Sequence, residues 1–337
     1  MVTLSDVATR AGVSISAVSR VLSGAASARV SPATRERITA AARELGYRPN
    51  FVARALKSSR THVIALVVPD VTNAIFSELM RGVEEASRRQ GYMVLLARID
   101  GMPDGDDALA ALIGEGRVDG ALVQVGDGMA SADLDRLLDS DLPVVFINSV
   151  QQGGSSVVLD DVRAARVATE HLIGLGHRRI GLVNGLASAD TARRRALGFA
   201  DAMAAAGLPV APELITELGY QPRQGQSALA ALSQLPTRPT ALVVANVNAA
   251  HGVLLEARRL GWHVPEELSI VAIHDTWSAE VTGPPLTTVR LPLETLGMVA
   301  SAALFTLIGG GAAGEMSVDD PAPELILRES TAPLDEA

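Results

Sequence analysis

The sequence predicts a small all-α helix-turn-helix headpiece joined to a larger α/β core of two lobes, each a parallel sheet with helices on both faces. Three observations carry this. Residues 1–60 are basic, with ten Lys and Arg against three Asp and Glu, whereas the remainder holds 19 against 35. From Val63 onward, short apolar runs of strand length alternate with amphipathic stretches of helix length. That alternation restarts near Val162, which suggests two successive α/β units. At 337 residues, 48% of them hydrophobic, the chain can bury the cores of two or three domains. A basic head on an acidic body (net charge −9 overall) fits phosphate binding at one end.

In the head, Thr3 and Asp6 have the spacing of a capping box, with the acid suited to the helix dipole. Leu4, Val7, Ala8 and Ala11 give one apolar face, and Gly12 is placed to end the helix in the left-handed region. Ser14 is a good N-cap for a second helix. Val18, Val21 and Leu22 turn inward there, leaving Ile15, Ser16, Ser19 and Arg20 outward. Two short helices around a glycine turn form a helix-turn-helix, whose second helix offers its N-terminal residues to base edges. Gly24 to Ala28 reads as a loop. Ser31-Pro32 opens a third helix with a buried stripe of Ile38, Ala41, Ala42 and Leu45, closed by Gly46. A fourth helical pattern, Asn50 to Lys57, is too short to stand alone and needs DNA or a partner copy to form.

Four linked blocks, Thr3-Leu4-x-Asp6-Val7-Ala8, Ala11-Gly12-Val13-Ser14, Val18-Ser19-Arg20-Val21-Leu22 and Gly46-Tyr47-x-Pro49-Asn50-x-x-Ala53-Arg54-x-Leu56, resemble the headpiece of the lac-repressor (LacI/GalR) family. The resemblance implies that Ile15, Ser16 and Arg20 read the major groove. Thr3, Ser14, Ser19, Asn50, Ala53 and Arg54 are the further expected DNA contacts. Leu56, with its dimer mate, is implied to wedge into the central step from the minor groove and kink the DNA. Ala17 departs from the family, which usually has Thr there, and alanine cannot make that threonine's phosphate or base contact. Ile15 can touch a thymine methyl but cannot hydrogen-bond.

In the body, Val63 to Pro69 is an apolar run ending in a breaker and reads as a buried strand, and Tyr92 to Ala97, Gly120 to Val125 and Pro143 to Asn148 read as further strands. Ile75 to Gln90 is an amphipathic helix closed by Gly91, and Leu109 to Ile113 has a helical pattern. The second unit offers helices at Val162 to Leu175 and Thr191 to Ala206. Its strands are Arg179 to Val183, Ala241 to Ala245 and Leu268 to Ile273. Ligands of open parallel sheets bind beyond the carboxyl ends of the strands. The candidates are therefore Asp70 to Phe76, Gln124, Asn148, Asn184, Asn246, His274 and Asp275.

The resemblance extends over this body. Val68-Pro69-Asp70-x-x-Asn73-x-x-Phe76, His171-Leu172-x-x-Leu175-Gly176-His177-Arg178-Arg179-Ile180, Pro239-Thr240-Ala241 and Pro284-Pro285-Leu286-Thr287-Thr288-Val289 look like the family's effector core, which is similar to periplasmic sugar-binding proteins. Family pocket positions fall on Asn73, Phe76, Asn148, Arg195, Tyr220, Asn246 and His274. An arginine and amides can bind hydroxyls, and aromatic faces pack on a sugar ring. The family usually writes Asn-Asp where Asn246-Val247 stands and Asp-Asp where His274-Asp275 stands. It usually has Asp at Asn148, and often Arg at Ser149. These departures leave three readings open: a sugar or sugar derivative, a ligand bearing an acid, a phosphate or an apolar group, and a pocket with no effector.

The expected organisation is a headpiece over 1–48, a hinge helix and linker over 49–61, and a core over 62–337. Within the core, the N-lobe is expected over about 62–160 and 290–320, and the C-lobe over about 161–289 and 321–330. The resemblance implies a regulator, in the repressor sense, that binds a pseudo-palindromic operator as a homodimer under control of a sugar-like effector. The tail after Leu327 is too short for a tetramerising coiled coil.

The rivals are a transporter's solute-binding protein and an α/β enzyme. The missing signal-peptide pattern and the basic head speak against the first. The second would need a catalytic or phosphate-binding constellation. Gly309-Gly310-Gly311-Ala312-Ala313-Gly314 follows no strand, no serine sits in a Gly-x-Ser-x-Gly elbow, and the six histidines lack metal spacing. His177, just past a helix end, is expected to cap a carbonyl or the dipole there. No cofactor, metal, catalytic residue or membrane span is expected, and the chain reads as cytoplasmic.

Overall fold

A computed structural model of the chain describes residues 2–22, 30–48, 60–98, 115–126, 129 and 131–334. It divides into two compact units, Met1–Thr61 and His62–Ala337.

The first unit holds α1 (Leu4–Ala11), α2 (Ile15–Leu22) and α3 (Pro32–Glu44). Local chemistry explains each end. Thr3 Oγ1 accepts the Asp6 N–H at 3.3 Å while the Asp6 carboxylate accepts the Thr3 N–H at 2.8 Å. Gly12 takes φ 63° and releases the chain from α1. Ser14 Oγ accepts from Ala17 N at 3.3 Å, and Ser31 Oγ from Thr34 N at 3.2 Å. Val7, Val18 and Ile38 are sealed where the three helices meet. Ser19, assigned outward, is half-buried. The expected loop over Gly24 to Ala28 and helix over Asn50 to Lys57 lie outside the described residues.

The second unit is built on two six-stranded sheets. The first joins β1 (Val63–Val68), β2 (Met93–Arg98), β3 (Gly120–Val123), β4 (Val144–Ile147), β5 (Ser155–Leu159) and β11 (Glu315–Val318) in the order β11-β5-β4-β3-β1-β2, all parallel. The second joins β6 (Ile180–Asn184), β7 (Ile215–Glu217), β8 (Ala241–Val244), β9 (Ser269–Ile273), β10 (Thr287–Arg290) and β12 (Glu324–Ile326) in the order β12-β10-β9-β8-β6-β7; only β12 runs antiparallel. Alternation sends side chains to both faces, buried on the inner strands, whereas Met93, Leu95 and Leu96 of the edge strand β2 are exposed. Ile64, Leu66 and Val68 of β1 enter one apolar cluster, Ala65 and Val67 another, and β8 divides in the same way.

Helices α4 (Ile75–Arg89), α5 (Ser131–Leu138) and α11 (Leu293–Ile308) belong to the first lobe; α6 (Asp161–Gly174), α7 (Asp190–Ala205), α8 (Pro222–Ser233), α9 (Val247–Leu260) and the short α10 (Trp277–Glu280) to the second. The chain passes between lobes three times: after β5, after β10 and after β11. Arg290 is paired in β10, so the second lobe runs one residue past the expected 289. The helix expected over Leu109 to Ile113 lies outside the described residues. Helix pairs touch through glycines. A Cβ on Gly82 of α4 would fall 2.0 Å from the Glu294 carbonyl oxygen, and one on Gly252 of α9 would fall 1.8 Å from that of Pro222.

The tail folds back rather than projecting. Ser330 is fully buried: its Oγ donates to Ile270 O at 2.6 Å and accepts Thr287 N at 2.8 Å. His177 Nε2 lies 3.2 Å from Ala332 O and Nδ1 3.0 Å from Thr240 Oγ1. Its backbone N–H caps the Leu172 carbonyl of the helix it follows at 3.1 Å, as expected, while its ring reaches the tail.

Candidate functional sites

In the first unit, α2 carries its apolar residues on one side and its candidate reading residues on the other. Ile15 is 51% exposed, although large and apolar, because Val18 and Val21 already fill the inner face. Ser14, Ser16 and Arg20 are exposed beside it. Ser14 and Ser16 share a hydrogen bond of 3.1 Å, and Arg20 Nε donates to Ser16 O at 3.2 Å, which tethers the guanidinium along the helix. Thr3 is exposed at the head of α1. Asn50, Ala53, Arg54 and Leu56 lie outside the described residues.

In the second unit, a cavity of about 430 Å³ opens between the lobes at the carboxyl ends of both sheets. Asn73, Phe76, Gln124, Asn148, Arg195, Tyr220, Asn246 and His274 all border it. Val71, Thr72 and Ala74 of the Asp70 to Phe76 stretch do not, and neither do Asn184 and Asp275. Asn184 turns its amide to Ala192 O at 2.9 Å, and Asp275 points to Thr288, Arg290 and Arg328 beside a separate groove. Backbone conformation separates His274 from its neighbour Asp275: His274 has φ 69°, and Asn148 at the end of β4 likewise has φ 51°.

The cavity is two-faced. Ile75, Phe76, Leu79, Met129, Leu134 and Leu296 form an apolar wall from the first lobe. The second lobe supplies Arg195, Tyr220, Asn246 and His274. Tyr220 lies so close over Gly185 that a Cβ there would meet its ring at 2.2 Å, and its hydroxyl shares a 2.7 Å hydrogen bond with Thr191. The Arg195 guanidinium carbon sits 5.7 Å from the Tyr220 ring centre.

Arg195 corrects the expectation of a guanidinium fork open to hydroxyls. Its Nε and Nη2 bond Asp161 Oδ1 at 2.8 and 2.7 Å, Nη1 donates to Ala245 O at 2.7 Å, and Nη2 also reaches His274 Nε2 at 3.0 Å. Asp161 also meets Arg194 at 2.9 Å. Burial pushes the Asp161 carboxyl up, but Arg195 and then Arg194 more than offset this and hold it below its ordinary value. Burial first, then the Arg195 charge, drives His274 down to about 3, so the ring is neutral at physiological pH.

Several bonds cross the cleft. Gln221 Nε2 donates to Asp70 Oδ2 at 3.0 Å, Val150 N to Asp190 Oδ2 at 3.2 Å, and Arg194 Nη2 to Asn148 Oδ1 at 3.2 Å. Sequence reasoning missed Asp161, Asp190, Arg194, Gln221 and Gln224. The only signals were the Asp160-Asp161 doublet and the Arg193-Arg194-Arg195 run, more than thirty residues apart, each readable as a solvated helix start. Among the described residues, no helix is long and apolar enough to cross a membrane, and no group of His, Cys, Asp and Glu could hold a metal ion.

Comparison with known proteins agrees with both units. Residues 3–50 match the model of bacterial regulatory proteins of the lacI family, and residues 169–331 that of the periplasmic binding protein-like domain. The HTH-type transcriptional regulator DegA of Bacillus subtilis is 33% identical over 338 residues, 98% of either chain. A LacI family regulator from Mycobacterium smegmatis is similar at 45% identity and TM-score 0.77, over 81% of this chain and 100% of that one. The lac repressor dimer bound to operator and the anti-inducer ONPF is similar at 27% identity and TM-score 0.83, over 98% of this chain and 99% of that one. With its helix-turn-helix head and two-lobed parallel-sheet core, the chain belongs to the lacI family of bacterial regulatory proteins and is a DNA-binding transcriptional regulator.

Proposed function

We propose that the chain is a cytoplasmic, non-catalytic repressor. It binds a pseudo-palindromic operator as a homodimer and is controlled by a small polar effector, a sugar or sugar derivative, in the interlobe cavity. The observation that carries this is the cavity itself: both lobes line it with polar groups beside an apolar wall of the first, and direct hydrogen bonds tie the lobes across it. A ligand that enters there has to exchange some of those bonds for its own. It therefore has different affinity for open and closed lobes, which is what coupling to DNA requires. Ile15, Ser16 and Arg20 are the base-reading residues in this reading, and two-fold symmetry of the protein implies two-fold symmetry of the site. The lac repressor, a structural neighbour, is a dimer on operator with a small molecule bound.

The test is a salt titration of binding to random and selected duplexes, with and without effector. Affinity should fall with a log–log slope of roughly −0.9 per phosphate neutralised. Deleting residues 1–60 should abolish binding. A flat salt response, or full affinity after the deletion, rejects the reading in favour of a solute-binding protein.

A further inference from the structure

The geometry points to an effector that bears an oxyanion, a carboxylate or a phosphate, rather than a neutral polyol. This inference rests on the proposal that the interlobe cavity holds the effector. The argument is an inventory of which hydrogen-bonding atoms the cavity has left over.

Four amide side chains border the cavity with their oxygens already used by backbone N–H groups. Asn73 Oδ1 accepts from Ile75 N at 3.3 Å, Asn148 Oδ1 from Leu159 N at 2.9 Å, Asn246 Oδ1 from Ala249 N at 2.7 Å, and Gln224 Oε1 from Gln221 N at 2.7 Å. A backbone N–H can only donate, so each amide has one orientation, with its oxygen inward and its amino group left over. Asn148 and Asn246 are 6% and 3% exposed. Their amino nitrogens have no hydrogen-bond partner among the described residues, yet they are not among the unpartnered atoms sealed from solvent. The opening they face is the cavity.

His274 adds no acceptor: Arg195 is a pure donor, so His274 Nε2 must accept from it and the proton resides on Nδ1, which is sealed from solvent. The carboxylates of the lining are engaged as well. Asp70 accepts from Thr72 and Gln221, and Asp190 from Val150, Arg193 and Arg194. In Asn73, Asn148, Asn246 and Gln224 the surplus is N–H donors, while Gln124 and Gln151 on the same lining keep amide oxygens that accept from no described residue. A hydroxyl of a neutral ligand can accept from these N–H groups too, but each also brings a proton that needs an acceptor of its own. An oxyanion brings only acceptors, and charge-assisted bonds to it are the stronger kind. Asn246 adds the N-terminus of α9, where the helix dipole favours negative charge.

The experiment is calorimetric titration of the full chain with matched probes: glucose, gluconate, glucuronate and glucose 6-phosphate, then ribose, ribonate and ribose 5-phosphate. At least one anion should bind tenfold or more tighter than its neutral parent, and comparing the carboxylate and phosphate arms shows which oxyanion is preferred. Asn148→Asp and Asn246→Asp each keep the oxygen that accepts from the backbone and exchange the amino group for a second oxygen. Each should lower anion affinity at least tenfold, with a melting temperature close to that of the parent. A neutral sugar that binds as tightly as its anions, or anion affinity unmoved in both folded variants, overturns the oxyanion inference and leaves effector control standing. If neither class binds, or if bound ligand leaves operator affinity unchanged, effector control at this cavity falls and the inference falls with it.

Discussion

Arg195 and Asp161, on successive helices of the second lobe, form an ion pair in which the arginine donates through both Nε and Nη2 and neither side chain is more than 3% exposed. Arg195 borders the cavity with Asp161 behind it, and through Nη2 the arginine also sets the tautomer of His274. Removing one partner leaves the other charged, desolvated and unmatched. Asp161→Asn should therefore cost about 3–5 kcal/mol of core stability. Urea denaturation of the full chain, followed as the loss of the core transition, measures it. A cost under about 1 kcal/mol would show that the Ala245 carbonyl and His274 suffice to hold the Arg195 guanidinium without its carboxylate.

Stability should also depend on pH through His274. An unfolded histidine takes up a proton near pH 6.5, whereas His274 in the fold resists until about pH 3. Its contribution is complete above pH 6.5 and declines toward pH 3, by about 1.4 kcal/mol per pH unit for this one group. His171, His177 and His251 are lowered in the same direction, chiefly by burial, and add to the slope. His274→Gln keeps a carbonyl able to accept from Arg195 and removes the titration. The stability gap between wild type and this variant should narrow steadily from pH 6.5 to pH 4.5; parallel curves would mean that His274 does not titrate this way.

On α2, Ile15 and Val18 are both apolar, yet they should respond differently to substitution. Val18 is fully buried, so Val18→Ala should destabilise the headpiece by about 2 kcal/mol. Ile15 is half-exposed, so Ile15→Ala should change stability by no more than about 0.5 kcal/mol. If Ile15 meets a thymine methyl, its loss should weaken operator binding several-fold and relax preference at one base pair per half-site. Limited proteolysis of the full chain reads headpiece stability, and binding-site selection reads preference. An Ile15→Ala protein with unaltered preference removes Ile15 from the reading set.

Gly252 and Gly174 make a matched pair of helical glycines. A Cβ on Gly252 would collide with the Pro222 backbone, whereas one on Gly174 would meet nothing within 4 Å. Gly252→Ala should force α8 and α9 apart and cost about 3 kcal/mol or more. Gly174→Ala should raise stability by roughly 0.5–1 kcal/mol, because alanine loses less backbone entropy in a helix. Melting temperatures of the two variants should move in opposite directions. Equal shifts would remove the close approach of α8 and α9 as the cause.

The sequence by itself determined the elements whose causes are local. Thr3, Gly12 and Ser31 mark helix ends because the bonds they make reach at most a turn away. The runs at Val63 and Ala241 read as strands because both of their faces are buried, which demands continuous apolarity. The strand-end rule and the family resemblance together brought eight residues to one cavity. Only the tertiary structure decided the rest. β7, β11 and β12 are three or four residues long and mixed in character, and pairing partners far along the chain hold them as strands. Arg195 carries the same five donors in any sequence, but Asp161, 34 residues earlier, takes up the Nε and Nη2 bonds that a ligand was expected to receive. Asn148 and Asn246 can each accept as well as donate until a particular N–H occupies the oxygen. For Asn246 that N–H is Ala249's, three residues on, a local helix cap; for Asn148 it is Leu159's at the end of the neighbouring strand, a bond that exists only once β4 and β5 have paired.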